Sequence, residues 1–272
     1  MLLIVIMVGY IDVHCHLESD RFKDDLDEVV KRAKDEGVEM IQSGTNNLTN
    51  RRSLEIAKKY DIMCSFGLYP IDAIALQFDG MKDDYTREIP KFDVDSELMW
   101  VEEHKDDCVL IGEVGLDFKV VECSDEMKFA QVKNFEKVID LAKRIDKPIL
   151  IHSRGAELEC IEILEKHNCK RVVMHCFSGK KSLIKRCVEN GWFLSVPPVI
   201  ARLQHFETLV SLVPLGQLLT ETDAPYLSPV QGIKNEPINV KITVEKIAEI
   251  KGVKNGEVKE QIMKNAKGLF NL

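Results

Sequence analysis

Short apolar runs, each stopped by polar or glycine-bearing sequence, recur along the whole chain, and stretches with helical spacing of apolar residues lie between them. The first run, 2–8, reads as a buried strand leading into Ile11-Asp12-Val13-His14-Cys15-His16. Seven more fall at 38–41, 62–66, 109–111, 149–151, 171–174, 192–196 and 218–220. Runs this short, rich in β-branched residues and bounded by turn signals, predict buried strands. After the first, Ser19 or Asp20 caps a helix with Phe22, Leu26, Val29, Val30 and Ala33 on one face, and Gly37 ends it. Further helices are predicted over 48–60, about 95–105, 125–145, 156–167, 180–190, 203–213, 238–250 and 255–268. Residues 71–94, with Gly80 and Pro90, predict a long loop before the helix at 95.

Strict alternation of strand and helix means a parallel sheet. Eight such units in 272 residues match a closed (β/α)8 TIM barrel, an α/β fold, as a single domain over 1–272. A doubly wound open sheet is the alternative, but no G-x-G-x-x-G follows the first strand. The chain shows no internal repeat, low-complexity segment or linker.

Composition narrows the function classes. A formal charge of −8 argues against a broad basic surface gripping duplex DNA, although a local basic patch or divalent ions can still meet phosphates. The eight cysteines form no C-x-x-C, and no secretory signal is readable, so reduced thiols in a cytoplasmic protein are expected. The run 2–8 is far shorter than the roughly 20 residues of a membrane helix, so no membrane partner is expected, and Met1 and Met7 both stand as starts.

The candidate chemistry sits where apolar runs end. His14 and His16 point to one side of a strand, about 7 Å apart along it. Glu113 follows the fourth run, His152 the fifth, His175 the sixth and Asp223 the eighth. The carboxyl ends of barrel strands are where such enzymes keep their active sites, and closure brings the eighth strand beside the first. Singly, each residue has an ordinary explanation: a hydrogen-bonded core histidine, a loop acid, a helix cap. Their joint placement on one rim does not. Four imidazoles and two carboxylates are too many for one tetrahedral site and suit two ions with positions left for water. His104, His167 and His205 take no assigned role, and Trp100 and Trp192 read as packing.

These residues lie in stretches that resemble the TatD-type metal-dependent deoxyribonucleases of the amidohydrolase superfamily. The stretches are Asp12 through His16, Gly112-Glu113-Val114-Gly115-Leu116-Asp117, Pro148 through Arg154, His175-Cys176-Phe177-Ser178-Gly179, Glu221-Thr222-Asp223-Ala224-Pro225-Tyr226 and Lys234-Asn235-Glu236-Pro237. The resemblance implies two divalent ions bridged by Glu113, with His14, His16 and Asp223 at one and His152 and His175 at the other. Where members often carry His-Pro-His, this chain has Tyr69-Pro70-Ile71, and 71–94 matches poorly.

The chemistry so implied is hydrolysis of a phosphodiester by a metal-activated water, with Asp223 accepting the proton. Arg154, two residues past His152, is a candidate to hold a phosphate oxygen, against a rim salt bridge; Lys234 is a second candidate, against a solvated lysine. DNA ends are the expected substrate, in 3′–5′ exonuclease fashion, with no obligate protein partner. Small esters, amides or lactones on the same centre are the alternative, and a non-catalytic metal-binding protein a lesser one. The donors suit Zn²⁺, Mn²⁺, Fe²⁺ or Mg²⁺.

Overall fold

Eight parallel strands pair in chain order, β1 (Tyr10–Cys15), β2 (Val38–Ser43), β3 (Met63–Leu68), β4 (Leu110–Asp117), β5 (Ile149–Arg154), β6 (Val172–Met174), β7 (Phe193–Val196) and β8 (Leu218–Thr220), in a computed structural model that describes residues 9–78, 89–119 and 123–272. The sheet curls until its last strand returns to its first. There Thr220 Oγ1 donates to the Ile11 carbonyl, and past the strand the Asp223 amide donates to the His14 carbonyl at 2.9 Å. This is the expected (β/α)8 TIM barrel.

Helices α1 (Leu26–Asp35), α2 (Asn47–Tyr60), α3 (Val94–Glu103), α4 (Asp125–Arg144), α5 (Glu157–Lys166), α6 (Lys181–Glu189), α7 (Gln204–Leu212) and α8 (Val240–Lys251) follow the strands in turn, and α9 (Asn255–Phe270) is added after them. Among the described residues no helix is long and apolar enough to cross a membrane. The strands are apolar because a parallel sheet is covered on both faces. Phe66, Leu110, Ile151, Val173, Leu194 and Leu219 are fully buried in one core that runs around most of the barrel. A smaller cluster under α1 joins Cys15, Leu17, Phe22, Val29, Ala33 and Met40. Burying a ring such as Phe22 stabilises the fold by about 1.5–3 kcal/mol.

Three expectations shift. The run 2–8 lies outside the described residues, and β1 is the following segment, so His14 is inside a strand and His16 just beyond it. Ser19 does cap, but it caps a 3-10 turn, Asp20–Phe22, accepting from the Arg21 amide; the helix proper begins at Leu26. The predicted fourth strand stops at Ile111, whereas β4 continues through Asp117 with all eight residues buried. Glu113 therefore projects from within a strand rather than from a loop. Of the predicted loop 71–94, residues 72–74 form a 3-10 turn, 79–88 lie outside the described residues, and α3 begins at Val94.

Two glycines let β4 sit this close to its neighbours. A Cβ on Gly67 of β3 would lie 2.5 Å from the Glu113 amide nitrogen. Gly115 has φ +139°, and a Cβ there would lie 2.1 Å from the His152 carbonyl oxygen. Any side chain at either position would displace a strand carrying a polar site residue.

Candidate metal centre

All six polar residues picked out at strand ends come together at the carboxyl rim. His14 Nε2 lies 3.8 Å from Glu113 Oε2 and 3.6 Å from Asp223 Oδ1. His16 Nε2 lies 3.3 Å from the same Asp223 oxygen. His152 Nδ1 and His175 Nε2 lie 3.3 and 3.5 Å from Glu113 Oε2. The rings crowd each other, with centroids 4.6 Å apart for His14 and His16 and 4.3 Å for His14 and His175.

These separations are mostly longer than good hydrogen bonds. They match the edge of a coordination shell: donors about 2.1 Å from a tetrahedral ion stand about 3.4 Å apart. His14 makes the case most sharply. It is fully buried, and neither ring nitrogen has a hydrogen-bond partner. A buried polar atom left alone costs roughly 1–3 kcal/mol, and a bound cation would remove that cost at Nε2. The donors fall into two overlapping sets, His14 with Glu113 and His175, and His14 with His16 and Asp223. His14 thus stands in the set with His16 and Asp223 that the resemblance implied and also in the one with Glu113 and His175, and His152 is turned the other way round, with Nδ1 toward Glu113.

Behind the imidazoles stands a row of carboxylates whose partners the sequence did not reveal. Asp117 Oδ2 lies 3.0 Å from His152 Nε2 and accepts from the Tyr69 hydroxyl at 2.9 Å. Glu221 Oε2 lies 2.7 Å from His175 Nδ1 and accepts from Ser195 at 2.7 Å, while its other oxygen accepts from the Cys176 amide at 2.9 Å. His16 Nδ1 meets the Ser43 carbonyl at 3.2 Å and Glu18 at 3.4 Å. A signal was present: Asp117 is four residues past Glu113 and Glu221 two before Asp223, both strand-periodic spacings. Such partners set the tautomer and orientation of a ligating imidazole. Glu221→Gln and Asp117→Asn are each expected to weaken metal affinity about 10- to 100-fold, measured by competition with a chelating dye; unchanged affinity would remove the orienting role.

The same contacts set the protonation of the metal-free site. Burial pushes His152 down, but Asp117 and Glu113 outweigh it and raise its pKa to about 9. His16 and His175 are raised in the same way, against burial, by Asp223 and Glu18 and by Glu221. His14 is driven well below its ordinary value by burial and by neighbouring His175 and His16. Burial also resists charge on Glu113, yet His152, His14 and His175 hold its carboxyl well below the usual range. At neutral pH His152 therefore carries a proton that a cation must displace. Metal uptake at pH 7.5 is expected to release protons and to tighten as pH rises toward 9, read by titration calorimetry in buffers of different ionisation enthalpy. Uptake without proton release would contradict this assignment.

The centre opens into a cavity of about 590 Å³, and His16, Glu113, His152, His175 and Asp223 form its floor. Its walls and mouth include Arg21, Asn46, Arg52, Tyr69 and Tyr226, residues on which the sequence reading placed no role. Arg154 ends β5 and is not among the lining residues. Neither is Lys234, whose Nζ is held by both Asp25 oxygens at 2.7 Å and by the Arg21 carbonyl at 3.1 Å, above the Phe22 ring. The two cysteines beside donors, Cys15 and Cys176, pack against the barrel: Cys15 is buried, and burial pushes both thiols well up.

The family model described as TatD related DNase matches residues 11–271. The chain belongs to that family. An uncharacterized metal-dependent hydrolase of Methanocaldococcus jannaschii is 35% identical over 97% of both chains. The human deoxyribonuclease TATDN3 is 33% identical, over 97% of this chain and 95% of its own. The 3′–5′ ssDNA/RNA exonuclease TatD of Erwinia tasmaniensis is 31% identical, over 96% and 99%. Among solved structures, the TatD homologue YJJV of Escherichia coli superposes with a TM-score of 0.82 at 26% identity, covering 98% of this chain and all of that one. Membership makes the protein a metal-dependent hydrolase that uses divalent cations, and the donor clusters on the barrel rim agree with that.

Proposed function

We propose that the protein hydrolyses phosphodiester bonds at single-stranded DNA ends, in 3′–5′ exonuclease fashion, with two divalent ions held by His14, His16, Glu113, His152, His175 and Asp223. The observation that carries this reading is His14, whose two ring nitrogens are buried and unpartnered and which groups with Glu113 and His175 on one side and with His16 and Asp223 on the other. Bound divalent ions would lower the pKa of a water to about 7 and polarise a phosphoryl oxygen. The protein's own groups do the rest. Asp223, whose side chain is 16% exposed against 0% for His14, presents its carboxylate to the cavity and takes the proton of the attacking water. The water oxygen bonds to phosphorus as the P–O3′ bond breaks, and the O3′ leaving group is protonated by solvent, to which Asp223 returns the proton it took. Glu113, among three imidazoles, keeps its charge and holds the two halves of the donor set together.

Access supports a frayed strand over intact duplex, since the donors lie on the floor of a cavity rather than on a ridge. Two arginines stand at its mouth, Arg21 and Arg52, the latter 3.5 Å from Asp20, and give local positive charge despite the overall −8. All eight cysteines are unpaired, which fits a reducing compartment. The test is a panel of end-labelled single- and double-stranded oligonucleotides beside ester, amide and lactone substrates, each with Mg²⁺, Mn²⁺ and Zn²⁺. Stepwise release of mononucleotides from single strands is expected. Turnover of esters or lactones with no nucleotide released would overturn the phosphodiester reading.

A further inference from the structure

Two residues at the cavity mouth are arranged in a way that hydrolysis alone does not use. Tyr226 follows Asp223 by three residues and stands beside the donor set, its ring centroid 6.3 Å from that of His16. The guanidinium of Arg21 lies 5.8 Å from the Tyr226 centroid, within cation–π range. Both residues line the cavity. Arg21 is exposed on its 3-10 turn, and among the described residues no ion pair involves it. The other mouth arginine differs: Arg52 Nη1 is 3.5 Å from Asp20. Tyr69, the other lining tyrosine, is likewise edge-on to an imidazole, with centroids 5.1 Å apart for Tyr69 and His152, and gives its hydroxyl to Asp117 in the row behind the donors. Tyr226 thus sets a half-buried ring between the metal donors and solvent, with the Arg21 guanidinium, which makes no ion pair among the described residues, over it.

We propose that Tyr226 and Arg21 form a stacking platform for the nucleobase joined to the scissile phosphate, an inference that rests on the phosphodiester reading above. Aromatic rings and arginine planes hold bases of single strands without demanding a sequence, because every base offers a π-face. A base on Tyr226 would leave its own phosphate over the donors, and a paired base could not reach the ring without leaving its duplex. The platform therefore supplies the preference for frayed ends.

The test compares two oligothymidylates that differ only at the 3′-terminal nucleotide, one carrying its base and one carrying the sugar alone. In the wild type the base is expected to raise kcat/KM roughly tenfold or more. Tyr226→Ala should reduce that ratio to near one, Tyr226→Phe should keep it, and Arg21→Ala, at an exposed position, should lower it about threefold. Metal content of each variant is measured in parallel. A wild type that cleaves both substrates equally, or variants that leave the ratio unchanged, would overturn the platform while leaving the nuclease reading intact. A wild type that cleaves no oligonucleotide with any of the three metals would overturn both.

Discussion

Replacing Glu113 with glutamine is expected to cut hydrolysis roughly a thousandfold and to lower the metal bound at purification. Three imidazoles converge on Glu113 Oε2, at 3.3, 3.5 and 3.8 Å, and only a charged carboxylate can answer them and the cations together. The amide keeps the shape of the acid and removes the charge. If Glu113 anchors the ions as proposed, losing it forfeits several kcal/mol of transition-state stabilisation, and about 4 kcal/mol is a factor of roughly a thousand. Glu113 is 6% exposed beneath the cavity, so the variant should fold. Circular dichroism and metal analysis alongside the rate separate a lost centre from a lost fold. A folded, fully metallated variant with a rate within tenfold of wild type would show that Glu113 does not hold the centre.

The second large effect concerns Asp223. Asp223→Asn, assayed at saturating metal, is expected to lower kcat about 10²- to 10⁴-fold, the range for removing a positioned general base. Its Oδ1 is 3.3 and 3.6 Å from His16 and His14, so affinity for the cation should fall as well. The two effects separate in a metal titration: weaker binding shifts the midpoint, and loss of the base lowers the plateau. A restored plateau at high metal would leave Asp223 as a ligand only and move proton transfer elsewhere.

Much of the barrel was legible because a strand covered on both faces must be apolar, and such runs are short and conspicuous. The first strand was harder. Residues 2–8 are the more apolar run, whereas β1 carries Asp12 and His14 in its interior, both fully buried. Periodicity cannot distinguish a buried carboxylate from a solvated one. For the same reason Asp117 and Glu221, though they lie in matching stretches, took no role of their own, yet each is buried and committed to an imidazole. The six donors stood out because each interrupts an apolar run at its carboxyl end. The cavity mouth did not, because it depends on which turns fold over the rim. Arg154 sits near a donor in the chain yet does not line the cavity, whereas Arg21, on an ordinary polar turn, does.

The return of β8 to β1 has a consequence for how the molecule comes into being. Asp12 receives the Thr222 amide at 2.8 Å and the Thr222 hydroxyl, and the His16 amide donates to the Ala224 carbonyl at 2.7 Å. The seam between the earliest and latest strands is thus stitched largely through groups flanking His14, His16 and Asp223. A growing polypeptide emerging from the ribosome holds five of the six donors long before the sixth is synthesised. On the proposed ligand set the centre is completed only as the cylinder shuts, so a cation held by it would clasp the join, and nascent intermediates should lack hydrolytic competence.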